Sequence, residues 1–98
     1  MNKEELSKEA FYDVTLWRVY RNKKTLLILY VQFGNGTVYG GVRYTNTSEE
    51  KEVMMSIVNG ALNGFIKPCG MQEIEHHRSL GRKVENVGKV RIKFEEEV

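Results

Sequence analysis

The stretch Thr47 to Ile66, TSEEKEVMMSIVNGALNGFI, constrains the fold more than any other part of the chain. Val53, Met54, Ile57, Val58, Ala61, Leu62, Phe65 and Ile66 recur at spacings of three and four, which predicts one long helix with a wide apolar side that needs a sheet to lie on. Thr47 followed by Glu50 has the spacing of a capping box, so the helix is expected to start near Ser48. Pro68 and Gly70 are expected to stop it. Ser56, Gly60 and Gly64 lie four apart and leave either a groove for close approach or, through Asn63-Gly64, an earlier helix end.

The sheet is supplied by what precedes the helix. Tyr12 to Arg21 and Leu26 to Phe33 are rich in β-branched and aromatic residues and read as two strands joined by a turn at Asn22, Lys23 and Lys24. Gly34-Asn35-Gly36 supplies the next turn. With Asn35 and Gly36 as loop residues, Phe33 faces Val38, Val31 faces Gly40, Leu29 faces Val42 and Leu27 faces Tyr44 toward the helix. The other surface then carries Tyr30, Tyr39, Ile28 and Arg43. A three-residue first turn adds Leu16, Arg18 and Tyr20 to that surface and sends Trp17 and Val19 to the helix side.

After the helix, Met71 to Leu80 predicts a second, shorter helix with Met71, Ile74 and Leu80 inward and Gly81 as its cap. The ending GKVRIKFEEE alternates, with Val90, Ile92 and Phe94 on one side and Lys89, Arg91, Lys93 and Glu95 on the other, as in a half-exposed strand. Arg82 to Val87 is expected to pair with it across Asn86-Val87-Gly88. Asn2 to Ala10 predicts no more than a short charged helix or a frayed end. The expected fold class is α+β. A mainly antiparallel sheet, made of a three-stranded meander plus a C-terminal strand or hairpin, carries one long and one short helix packed on one face.

The 98 residues are expected to form a single domain, 1–98. A formal net charge of +2 gives no global attraction to polyanions, so any basic function must be local. Cys69 is the only cysteine, which excludes an intrachain disulfide and a multi-cysteine zinc site. MNKEELSKEAFYDV lacks the basic end and apolar run of a signal peptide, and no stretch approaches about eighteen apolar residues, so a cytoplasmic location is expected, that of a host cell if the protein is viral.

Two clusters carry the candidate chemistry. Arg18, Tyr30, Tyr39 and Arg43 on the open sheet surface would make a stacking platform with guanidinium groups beside it. His77, Arg78 and Arg82, with His76 and Lys83, would clamp a phosphate at the end of the short helix, and Lys89, Arg91 and Lys93 would add charge if the last strand runs beside it. Thr37 to Tyr44, TVYGGVRY, shares Tyr39, Gly40, Val42 and Tyr44 with the sheet motif of RNA-recognition domains. It lacks the leading basic residue, the first glycine and the central aromatic, and those domains place a helix where this chain has a short turn, so the family is excluded.

His76 and His77 diverge by about 100 degrees on a helix and do not chelate one ion together, and no GxxxxGK loop is present, so no metal and no cofactor are expected. The expected function is a small non-enzymatic binding protein, a homodimer, that captures a nucleotide or nucleic-acid segment. One alternative is a protein-binding inhibitor or adaptor similar in build to small phage or viral accessory proteins. The other is a small histidine-dependent nuclease or phosphodiesterase.

Overall fold

The computed structural model describes residues 11–21 and 26–93. Four strands, β1 (Phe11–Tyr20), β2 (Leu27–Phe33), β3 (Val38–Tyr44) and β4 (Lys83–Lys93), form one antiparallel sheet in the order β3-β2-β1-β4. Two helices, α1 (Glu50–Leu62) and α2 (Met71–Ser79), complete the α+β fold expected from the sequence. The Asn2 to Ala10 segment, the turn at Asn22 to Lys24, and Phe94 with Glu95 lie outside the described residues.

The layering differs in one respect. Helix α1 packs Met54, Ile57, Val58 and Leu62 on the sheet face that carries Val14, Leu16, Leu29, Val31 and Phe33. Helix α2 packs Ile74 and Met71 on the opposite face, against Val19, Ile28, Tyr30, Val38 and Trp17. Apart from Gln32, strand β2 is therefore apolar and buried along its length. A strand buried on both faces has no alternation, so its sequence holds no information on which residues share a side.

That is why the expected parity between β1 and β2 is reversed. Trp17 pairs with Tyr30, and Arg18 pairs with Leu29. Arg18 and Tyr20 thus stand on the α1 face, and Trp17 and Val19 on the α2 face.

The second hairpin contains a further correction. Phe33 N–H donates to Thr37 O at 2.9 Å and Gly36 N–H to Phe33 O at 2.8 Å, so the loop holds three residues, Gly34 to Gly36. The extra residue shifts the pairing by one, to Val31 with Tyr39 and Tyr30 with Gly40. A bulge at Gly40-Gly41 restores the expected pairs Leu29 with Val42, Ile28 with Arg43 and Leu27 with Tyr44. The bulge is possible because Gly40 and Gly41 take φ values of 140° and 85°, where a Cβ on Gly40 would lie 2.6 Å from Leu29 O. Its result is that Tyr39 turns to the α1 face.

Helix α1 is shorter than predicted at both ends. Thr47–Glu49 forms a 3₁₀ turn capped by Asn46, whose side chain accepts from Ser48 N–H at 3.0 Å. The Thr47–Glu50 capping box does not form, because Glu50 is drawn to Arg18 and Tyr44. At the other end Gly64 takes φ 75°, and Phe65 N–H donates to Gly60 O at 2.8 Å and Gly64 N–H to Ala61 O at 3.2 Å, the paired bonds of a Schellman ending. Ile66 then folds over Gly60, where a Cβ would meet its Cδ1 at 2.7 Å, so the chain fills its own small-residue groove. Phe65, expected inward, is 85% exposed.

Helix α2 ends as predicted at Gly81, but Leu80 stays exposed. The expected C-terminal hairpin is one long strand. Strand β4 pairs with β1 along its whole length, with Val87 inserted as a bulge between Leu16–Gly88 and Trp17–Asn86.

Candidate functional site

The structure separates the residues that the sequence grouped. Arg18 lies on the α1 face inside an ion-pair network. Its Nε and Nη2 donate to Glu50 Oε2 and Oε1 at 2.7 and 2.9 Å, and its Nη1 donates to Glu85 Oε1 at 2.6 Å and to the Tyr20 hydroxyl at 3.2 Å. Tyr44 adds a hydroxyl bond to Glu50 Oε2 at 2.6 Å. Tyr39 is buried on the same face, edge-on to Phe33 with ring centroids 5.5 Å apart. Arg43 is exposed on the edge strand β3. The open aromatic platform is therefore not formed, and Leu16, Ile28 and Tyr30 are buried within the chain.

Tyr30, His77 and Arg82 do meet. Arg82 Nη1 lies 2.9 Å from His77 Nδ1, and Tyr30 Oη lies 2.8 Å from His77 Nε2. A guanidinium only donates, so Nδ1 accepts, the imidazole is neutral, and its Nε2–H donates to the tyrosine oxygen. Burial, with the Arg82 charge second, holds the His77 pKa below the ordinary histidine value, and burial pushes the Tyr30 phenol up to about 12. His77 is 6% exposed with both ring nitrogens engaged. It is the polar anchor of α2, bonded on one side to the sheet and on the other to the chain beyond the helix.

The accessible surface lies beside α2, on the half of the sheet face that α2 leaves uncovered. The predicted alternation of the last strand is observed there. Lys89 pairs with Thr15, Arg91 with Asp13 and Lys93 with Phe11, which places the three cations on the face shared with Trp17. All three are exposed, and the α2 contact with β4 runs through Val84 at the strand's start. At the boundary Arg78 lies over the Trp17 ring, 5.6 Å from its centroid, and pairs with Glu75.

The ring of Trp17 is oriented by Gln32. Trp17 Nε1–H donates to Gln32 Oε1 at 3.1 Å, and Gln32 Nε2 donates to Gly36 O at 3.2 Å, which ties the hairpin loop to the same surface. Asp13, Thr15, Gln32, Gly34, Gly36 and Lys89 line a shallow cleft of about 290 Å³ there. Arg91 Nε donates to Asp13 at 2.9 Å, and this contact holds the Asp13 carboxyl below its usual range. An exposed pair of this kind is worth little and exchanges readily for another anion.

Trp17, Phe11 and Gln32 were not singled out as site residues in the sequence. Their shared face depends on the β1–β2 parity, which β2 does not encode. Among the described residues no cluster of three His, Cys, Asp or Glu side chains is placed to hold a metal ion, and no helix is long and apolar enough to cross a membrane.

Comparison with known proteins finds no match among family models, curated proteins or solved structures.

Proposed function

We propose that the chain is a nucleic-acid-binding protein that uses the uncovered half of the α2 face. The observation that carries the reading is the row of Lys89, Arg91 and Lys93. Alternate residues of one strand face stand about 6.8 Å apart, a straight ladder of charge for successive phosphates. Arg78 extends the row toward Trp17. The row is longer than a single nucleotide and the cleft beside it is shallow, which favours a polymer over a free nucleotide. Arg43, on the far edge strand, and Arg18, held by two carboxylates, have no part in it.

The test is fluorescence anisotropy of a labelled oligonucleotide between about 50 and 200 mM salt, where about three or four phosphate contacts give a log–log slope of roughly −2 to −3. The triple charge reversal K89E/R91E/K93E is expected to weaken binding by at least about tenfold with unchanged circular dichroism. Unaltered affinity in that variant refutes the assignment.

A further inference from the structure

Resting on the nucleic-acid reading above, we infer that the ligand is single-stranded and lies along β4, with its bases turned over β1. The arrangement of charge argues for one backbone. Among the described residues, the exposed cations of this half of the face sit on one strand, β4, with Arg78 at its border. A duplex presents two phosphate rows separated by a groove of about 6 or 12 Å. The positions two strands away, about 9.6 Å across the sheet, are Gln32 on β2 and the loop from Gly34 to Gly36, none of them cationic. The acids Asp13 on β1 and Glu75 on α2 flank the row and disfavour a second backbone.

The neighbouring row has the chemistry of bases. One strand spacing from β4, about 4.8 Å, β1 presents Phe11, Thr15 and Trp17 on the same face. Phe11 is 53% exposed and lies directly opposite Lys93, so a nucleotide whose phosphate meets Lys93 has its base over that ring. Thr15 and Gln32 offer hydrogen-bonding groups between the two aromatics.

The experiment compares three probes on the intact chain: a labelled 12-nucleotide single strand as DNA and as RNA, the same sequence as a duplex, and a heparin oligosaccharide, which has charge without bases. The single strand is expected to bind at least about tenfold tighter than the duplex. Phe11→Ala should weaken it by about five- to a hundredfold and leave heparin affinity unchanged. Trp17 is the only tryptophan, so its fluorescence should be quenched by the single strand and not by heparin.

Equal affinity for single strand and duplex, or a silent Phe11→Ala, overturns the inference and leaves the broader reading in place. Binding to none of the three probes at low salt overturns both, and leaves the surface to an acidic segment of a partner protein.

Discussion

Glu50 shows at the scale of one side chain why local sequence rules were outvoted. Its spacing from Thr47 is right for a helix cap, yet the carboxylate spans to Arg18 on the sheet, where two guanidinium nitrogens and the Tyr44 hydroxyl reach it. Burial alone would raise its pKa, but the bonds from Arg18 and Tyr44 hold it below the ordinary carboxylate value. Both partners are about an eighth exposed, so removing one leaves a largely buried charge. Glu50→Ala is expected to lower unfolding free energy by about 2–4 kcal/mol, measured by urea denaturation, whereas Asp13→Ala, at an exposed and solvent-screened pair, should leave the urea midpoint essentially where it is. Gly40→Ala belongs with the severe class, since its Cβ would strike Leu29 O and Tyr30 Cα at a backbone angle alanine rarely adopts. We expect a loss of about 2 kcal/mol or more by the same measurement.

At the scale of elements, existence was legible and facing was not. The three meander strands, both helices and the alternation of Lys89, Arg91 and Lys93 follow from periodicity and from Gly and Asn turns. The side on which Tyr39 stands depends on two single-residue events, the length of the Gly34 to Gly36 loop and the Gly40-Gly41 bulge, and the side of Trp17 and Arg18 depends on the β1–β2 parity; none of these leaves a hydrophobic signature. The groups facing His77 explain how α2 stays on its face with few apolar anchors. Ile74 and Met71 supply packing, and the imidazole joins Tyr30 of β2 to Arg82 beyond the helix, with Glu73, His76 and Arg21 contributing weaker fields.

Because the folded pKa of His77 lies below its unfolded value near 6.5, the stability it confers is present above that pH and lost as the pH falls through the folded value. The urea midpoint should therefore fall between pH 7 and pH 5, with amide exchange rising first in α2. His77→Gln, which can bond both neighbours without titrating, should flatten that slope. An equally steep slope in the variant would assign the acid sensitivity to other groups.

For the whole molecule, the regular part of the sheet is its centre. Strands β1 and β2 pair from Val14–Phe33 to Tyr20–Leu27 without interruption, while each outer strand is broken by a bulge, at Gly40-Gly41 on one side and at Val87 beside Gly88, with φ 122°, on the other. A straight outer strand is a template on which other chains polymerise, and bulges and lysines spoil it. Both outer strands of this sheet are by that rule poor templates. Deleting Val87 and replacing Gly88 by valine would leave every cation on its present side while giving β4 an unbroken ladder. That variant should bind nucleic acid as before and yet form thioflavin-positive fibrils at concentrations where the parent stays clear.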